Sequence, residues 1–157
     1  MLTLLILTAA LGAATIGGVF FAFSTFVMRA LGQLPPTQGV AAMQRINVVV
    51  LNPLFLGTFA GTAVLQGLVA LLALAGWGSR PSTLLLIGAG LYIAGCFGVT
   101  IACNVPRNEH LNALTAESPA AHEYWRIYLR EWTRWNHVRT AAALAAAACG
   151  LAALVGR

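Results

Sequence analysis

Nine residues, WTRWNHVRT from Trp132 to Thr140, place two Trp, two Arg, an Asn and a His at the mouth of an apolar run. Such residues serve two purposes. Trp and Arg anchor a helix at a membrane surface. An imidazole, an amide and a guanidinium beside aromatic rings can also wall a reaction site, exchanging protons and steadying an anion. The other polar groups share this location. Asn47, Asn52, Asn104, Asn108, Asn112 and Asn136, with His110, His122, His137 and all four Glu, fall in or beside two connections, 28–53 and 103–137. Longer connections hold more polar residues in any protein, but Asn47, Asn52, Asn104 and Asn136 lie within a few residues of apolar runs and can point inward.

The elements that must position them are membrane helices. The chain is 59% hydrophobic and only 8% charged, with a mean hydropathy of +0.81. Crossing a hydrocarbon core takes about 20 apolar residues, and 2–27, 54–75, 82–102 and 138–155 meet that length. Backbone groups in lipid must bond internally, and none of these runs alternates like a strand, so helices are expected. The fold class is all-α: an integral membrane four-helix bundle, one domain over 1–157, with a partly helical connection between the third and fourth spans. The first run has no basic leader and exceeds a signal-peptide core, which makes it a span. An even number of spans puts both termini on one side. That side carries Arg80 and Arg157; the other carries Arg29, Arg45, Arg107, Arg126, Arg130 and Arg134. Cationic loops stay in the cytoplasm, so 28–53 and 103–137 are expected there and both termini outside, in a bacterial inner membrane.

The same pattern excludes other classes. The net charge of +5, from nine Arg against four Glu with no Lys, follows topology rather than a nucleic-acid surface. Cys96, Cys103 and Cys149 read as small apolar side chains. The four runs hold no Asp, Glu, Lys or His, whereas an ion-coupled transporter places an ionisable group in the membrane. Gly57 and Gly61 have the spacing for close helix contact. Thr58, Thr62 and Gln66, and likewise Tyr92, Cys96 and Thr100, form polar stripes that suit interhelical hydrogen bonds or a pocket opening on the Asn-rich side. The partners expected are therefore the lipid bilayer and a hydrophobic small molecule. Nothing in the sequence sets an oligomeric state.

Within 103–137, Pro106 is expected to end the third span, with Asn104 and Asn108 capping around it. Ser118 and Pro119 then suit an N-cap and first helical position. At 100° per residue, Trp125, Tyr128, Trp132, Trp135, Asn136 and Arg139 share one face, and Glu123, Arg126, Arg130, Arg134 and His137 the opposite one. Trp125 and Tyr128 suit an interfacial belt. Asn136 and Arg139, entering a span, need a polar cavity or partners within the bundle. The wheel sets His137 among the arginines; His110 lies in the loop, and His122 reads as an exposed helix-start residue. No two His have the i, i+4 spacing of a helical metal pair, and no metal site is expected.

GGVFFAFSTFVMRAL, MQRINVVVLNPLF, NVPRNEHLNAL and WRIYLREWTRWNHVRT, in this order, resemble the anthrone oxygenase-like membrane proteins, a family of four-span proteins. The resemblance carries over Asn47, Asn52, Pro53, Asn104, Pro106, Asn108, Trp132, Trp135, Asn136, His137 and Arg139 without assigning their roles. It implies oxidation of an anthrone to an anthraquinone by O₂ as co-substrate, with no flavin, haem or other cofactor.

That chemistry needs a base, donors to an oxyanion, a slot for a flat tricycle and an apolar place for O₂. The sequence offers His137 or His110 as base, and Arg139 with Asn104, Asn108 or Asn136 as donors. Trp132, Trp135 and Phe55 or Phe59 offer the slot, with Asn47 and Asn52 as further binding groups. Two other readings stand beside it: a non-enzymatic lipophile-binding or assembly protein, and a metal-dependent oxidase using His110, His122 and His137.

Overall fold

A computed structural model describes residues 1–75 and 79–155; Arg157 and residues 76–78 of the 76–81 turn, both used in the topology reading, lie outside them. The described residues form five helices in order: α1 (Leu2–Gly32), α2 (Pro36–Val49), α3 (Pro53–Leu74), α4 (Arg80–Asn112) and α5 (Pro119–Val155). All but α2 are long and apolar enough to cross a membrane. The described residues include no strand, and the architecture is an all-α membrane bundle. α5 packs between α1 and α4, α3 closes the ring against both, and α2 lies across one end against α1, α4 and α5.

The second span matches its expected 54–75 to within a residue, whereas the other three helices continue past their apolar segments. α1 passes through a π-helical turn at Phe23–Val27 and ends only at Gly32. Pro106 does not end the third span. A proline lacks an N–H and its ring opposes the carbonyl four residues back, but π-helical stretches at Leu91–Gly98 and Thr100–Asn104 widen the backbone ahead of it. The helix then carries Pro106 in the first turn of its next segment and runs to Asn112. Asn104 and Asn108 are therefore not caps of a broken helix. The expected start of α5 holds: it begins at Pro119, and the Ser118 hydroxyl accepts from the Ala121 N–H at 3.1 Å.

Small residues set the packing, though not at Gly57 and Gly61. Both face outward, and a Cβ added at either would meet nothing within 4 Å. Close approach occurs instead along α5. A Cβ at Gly88 would lie 3.2 Å from the Ala146 carbonyl, and one at Gly95 2.8 Å from Ala142 Cβ. Ala142, Ala143, Ala146, Ala147 and Ala153 are buried beside them. Leucines and valines such as Leu4, Leu54, Val64 and Leu71 face outward, as expected where lipid replaces water around the bundle.

Trp125 and Tyr128 do not form an interfacial belt. They are 2% and 0% exposed because α2 covers them: Gly39 brings its backbone close to the Trp125 indole. Trp125, Tyr128 and Trp132 stack in succession, with centroids 5.6 and 6.1 Å apart. His122 is half-buried rather than an exposed helix start; its Nε2 lies 2.9 Å from Thr37 Oγ1 and 3.0 Å from the Ala116 carbonyl, tying α2 to the base of α5.

Candidate functional site

Between the bundle's middle core and the aromatic stack under α2 lies a cavity of about 200 Å³. An apolar cavity of about 150 Å³ holds a benzene ring, so this space admits at least part of a flat aromatic. Each helix supplies one wall: Phe20 and Phe23 from α1, Met43 and Asn47 from α2, Phe55 and Phe59 from α3, Thr100 and Asn108 from α4, Trp132 and Arg139 from α5. Phe55 and Phe59 are near-parallel, 6.1 Å apart and 11° between planes. The lining also includes Leu51, Leu56, Ile101 and Val105, which are exposed on the outside of the bundle. The mouth therefore opens sideways, between the start of α3 and the last turns of α4, through apolar side chains.

Arg139 is the ionisable group in the wall. It is 3% exposed, with its guanidinium 4.0 Å from the centre of the Phe20 ring and 5.0 Å from that of Trp132. Nη2 donates to Asn136 Oδ1 at 2.6 Å and Nη1 to Thr100 Oγ1 at 3.3 Å, while Nε has no protein partner. Among the described residues the ion pairs are Arg107–Glu131 and Arg130–Glu131, neither involving Arg139. A buried cation held by rings and neutral oxygens keeps an unmet demand for an anion. Asn136 fixes its pose: fully buried, it donates from Nδ2 to the Phe20 carbonyl at 2.7 Å and to Ser24 Oγ at 2.8 Å. The π-helical turn of α1 thus reaches Arg139 through one amide.

Asn108 faces the cavity from α4. Its Oδ1 accepts from both Tyr128 OH and Trp132 Nε1, each at 2.8 Å. Two donors on the oxygen fix the amide's orientation and leave Nδ2 to donate elsewhere. Asn47, also in the wall, donates from Nδ2 to Asn112 Oδ1 at 3.2 Å.

Of the residues singled out from the sequence, the cavity brings together Arg139, Asn47, Asn108, Trp132, Phe55 and Phe59, with Asn136 directly behind Arg139. It does not include the others. His137 and His110 are exposed on the outside; His110 packs edge-on against Tyr124, centroids 4.2 Å apart. The helix phase that carries Arg139 inward turns His137 outward. Asn52 caps α3 instead, accepting from the Phe55 N–H at 2.9 Å. Asn104 is buried behind the wall, donating to the Trp132 carbonyl at 3.2 Å, and Trp135 is half-buried outside the lining. The three His do not converge, and among the described residues no three His, Cys, Asp or Glu gather as a metal-ligand set. Of the stripes, only Thr100 reaches the cavity. Tyr92 donates to the Phe59 carbonyl, Thr58 bonds within its own helix, and Thr62 and Gln66 pack against α1 at Gly12 and Ala9. Phe20, Phe23 and Met43 carry no individual signal in the sequence: the two phenylalanines belong to a Phe-rich helix end, which reads equally as lipid-facing surface, and Met43 stands alone in the first connection.

The anthrone oxygenase family model matches residues 53–149, more than half of the sequence. The chain belongs to the anthrone oxygenase family. No curated protein and no solved structure matches it at a significant level. The family match covers α3, α4 and most of α5, and so takes in Phe55, Phe59, Thr100, Asn108, Trp132, Asn136 and Arg139. The α1 and α2 walls, with Phe20 and Asn47, lie before it.

Proposed function

We propose that this member of the anthrone oxygenase family is an O₂-using oxidoreductase acting, without a bound cofactor, on a flat phenolic or polycyclic substrate drawn from the bilayer. The observation that carries this reading is Arg139: a buried guanidinium with no carboxylate partner, stacked between Phe20 and Trp132 and facing an apolar cavity. An anthrone enolises to a phenol whose anion is delocalised over three rings. Arg139, with Asn108 Nδ2, stabilises that anion's oxygen, and Phe55, Phe59 and Trp132 provide the ring contacts. The carbanion form gives one electron to O₂, and the resulting radical and superoxide combine into a peroxide at carbon. Protonation and loss of water leave the new carbonyl: one CH₂ and one O₂ become one C=O and one H₂O.

The wall supplies a cation rather than a base. The sequence-derived assignment of His110 or His137 as base therefore gives way to acidification by Arg139, with the phenolic proton leaving through the mouth. Preorganised charge at a developing oxyanion is worth roughly 10²–10³ in rate.

The test is O₂ uptake by the purified protein in lipid nanodiscs after chelation, with an anthrone as substrate. One O₂ per anthraquinone is expected, at a rate that falls about 100-fold in Arg139→Gln and persists in the His110→Ala/His137→Ala double variant. Unchanged turnover in Arg139→Gln, or loss in the His variant, overturns the assignment. A second reading, a lipophile-binding protein without turnover, draws on the same lack of a base in the wall. Arg139-dependent anthrone binding with no O₂ uptake selects it.

A further inference from the structure

On the opposite side of the α1–α5 seam from the cavity, a groove of about 450 Å³ lies between the end of α1 and the first half of α5. Its charged lining is Arg29, Arg126 and Arg130, and its apolar floor includes Met28 and Leu129. No Asp or Glu lines it. Arg130 shares Glu131 with Arg107, and among the described residues Arg29 and Arg126 have no ion pair. Three like charges from two helices repel one another unless an anion sits among them. Thr133, also in the groove, has a buried hydroxyl without a protein partner.

The seam below the groove is apolar. One turn below Ser24 on α1, Phe21 is 52% exposed, and Leu144, on the Thr133 face of α5, is 41% exposed and packs beside Gly17. A cationic recess continuing into an exposed apolar seam has the shape of an amphiphile: phosphate above, acyl chain below. A free anion would need only the upper part.

We propose that the groove of Arg29, Arg126 and Arg130 binds the headgroup of an anionic phospholipid, with an acyl chain laid against Phe21 and Leu144. The phosphodiester takes charge-assisted hydrogen bonds from the guanidinium groups, and Thr133 supplies a neutral donor. The site shares no lining residue with the cavity and does not depend on its chemistry.

The full-length protein, purified in a neutral detergent, tests this by thermal unfolding with added dioleoylphosphatidylglycerol, dioleoylphosphatidylcholine or inorganic phosphate. Phosphatidylglycerol is expected to raise the midpoint, and the other two to leave it in place. Arg29→Gln/Arg126→Gln should weaken the phosphatidylglycerol response by about five-fold in apparent affinity per arginine removed. Arg45→Gln, which removes a charge from α2 outside the groove, should leave it intact. Should the double variant prove poorly folded, Thr133→Val and Phe21→Ser test the two ends of the site separately. Equal shifts with inorganic phosphate overturn the lipid assignment. An undiminished phosphatidylglycerol response in the folded arginine variant overturns the site.

Discussion

Arg139 does several things at once because its neighbours are rings and neutral oxygens. A guanidinium is planar and weakly hydrated, so it can lie against Phe20 and Trp132 where an ammonium would be stranded. Arg139→Lys keeps the charge and loses the stacked fork. It should bind an anthrone more weakly than the wild type and more tightly than Arg139→Gln, as read by ligand titration in nanodiscs. Asn108 carries a different load. Removing its oxygen leaves Tyr128 OH and Trp132 Nε1 without the acceptor they share, at about 1–3 kcal/mol for each buried donor. Asn108→Ala should therefore lower the thermal midpoint as well as turnover, while the His110→Ala/His137→Ala double variant, altering exposed rings, should lower neither by much.

At the scale of elements, α5 organises the molecule. One unbroken 37-residue helix presents Trp125 and Tyr128 to α2, Trp132 and Arg139 to the cavity, and an alanine face to α1 and α4. That last face tolerates little added volume. Gly88→Leu should reduce thermal stability markedly, because a Cβ there would lie 3.2 Å from the Ala146 carbonyl oxygen. Gly57→Leu on α3, where a Cβ meets nothing, should be neutral or stabilising, since glycine costs a helix roughly 0.5–1 kcal/mol relative to alanine. Paired unfolding curves in the same detergent check this contrast, and equal losses would return Gly57 to a packing role. The π-helical turns are the second device. They widen α4 beside Thr100 and Ile101 and let the helix absorb Pro106, which keeps Asn108 on the same continuous rod as the cavity wall.

The whole molecule has a side door rather than a top entrance. α2 covers the aromatic stack, and the cavity mouth lies between apolar side chains that face outward at Leu51, Leu56, Ile101 and Val105. A lipophilic molecule held in the bilayer would meet that mouth directly. Leu56→Trp with Ile101→Trp should raise KM for a membrane-partitioned anthrone several-fold with less effect on kcat, in a liposome assay. An equal fall in kcat alone would mean that the bulky rings disturb the site itself. The arginine asymmetry further predicts that a reporter enzyme active only outside the cytoplasm works when fused to the C-terminus, and not when inserted between α4 and α5.

Composition and periodicity decided the broad design of this protein. Runs of about 20 apolar residues have one stable form in lipid, and the repeat of 3.6 residues grouped Trp132, Asn136 and Arg139 on one face while separating His137 from them. Ser118 and Pro119 marked the start of α5 because an N-cap is a local bond. Non-local facts were not legible. Whether Asn52 lines a site or caps a helix depends on where α3 sits relative to α2, and glycine spacing at Gly57 and Gly61 does not say which face meets a partner. Trp125 and Tyr128 read as interfacial because nothing in their own segment encodes the α2 helix that covers them. Only the tertiary structure decided that four phenylalanines, an arginine without a carboxylate and two asparagines from five helices enclose one space, since enclosure is a property of several segments together and no single segment encodes it.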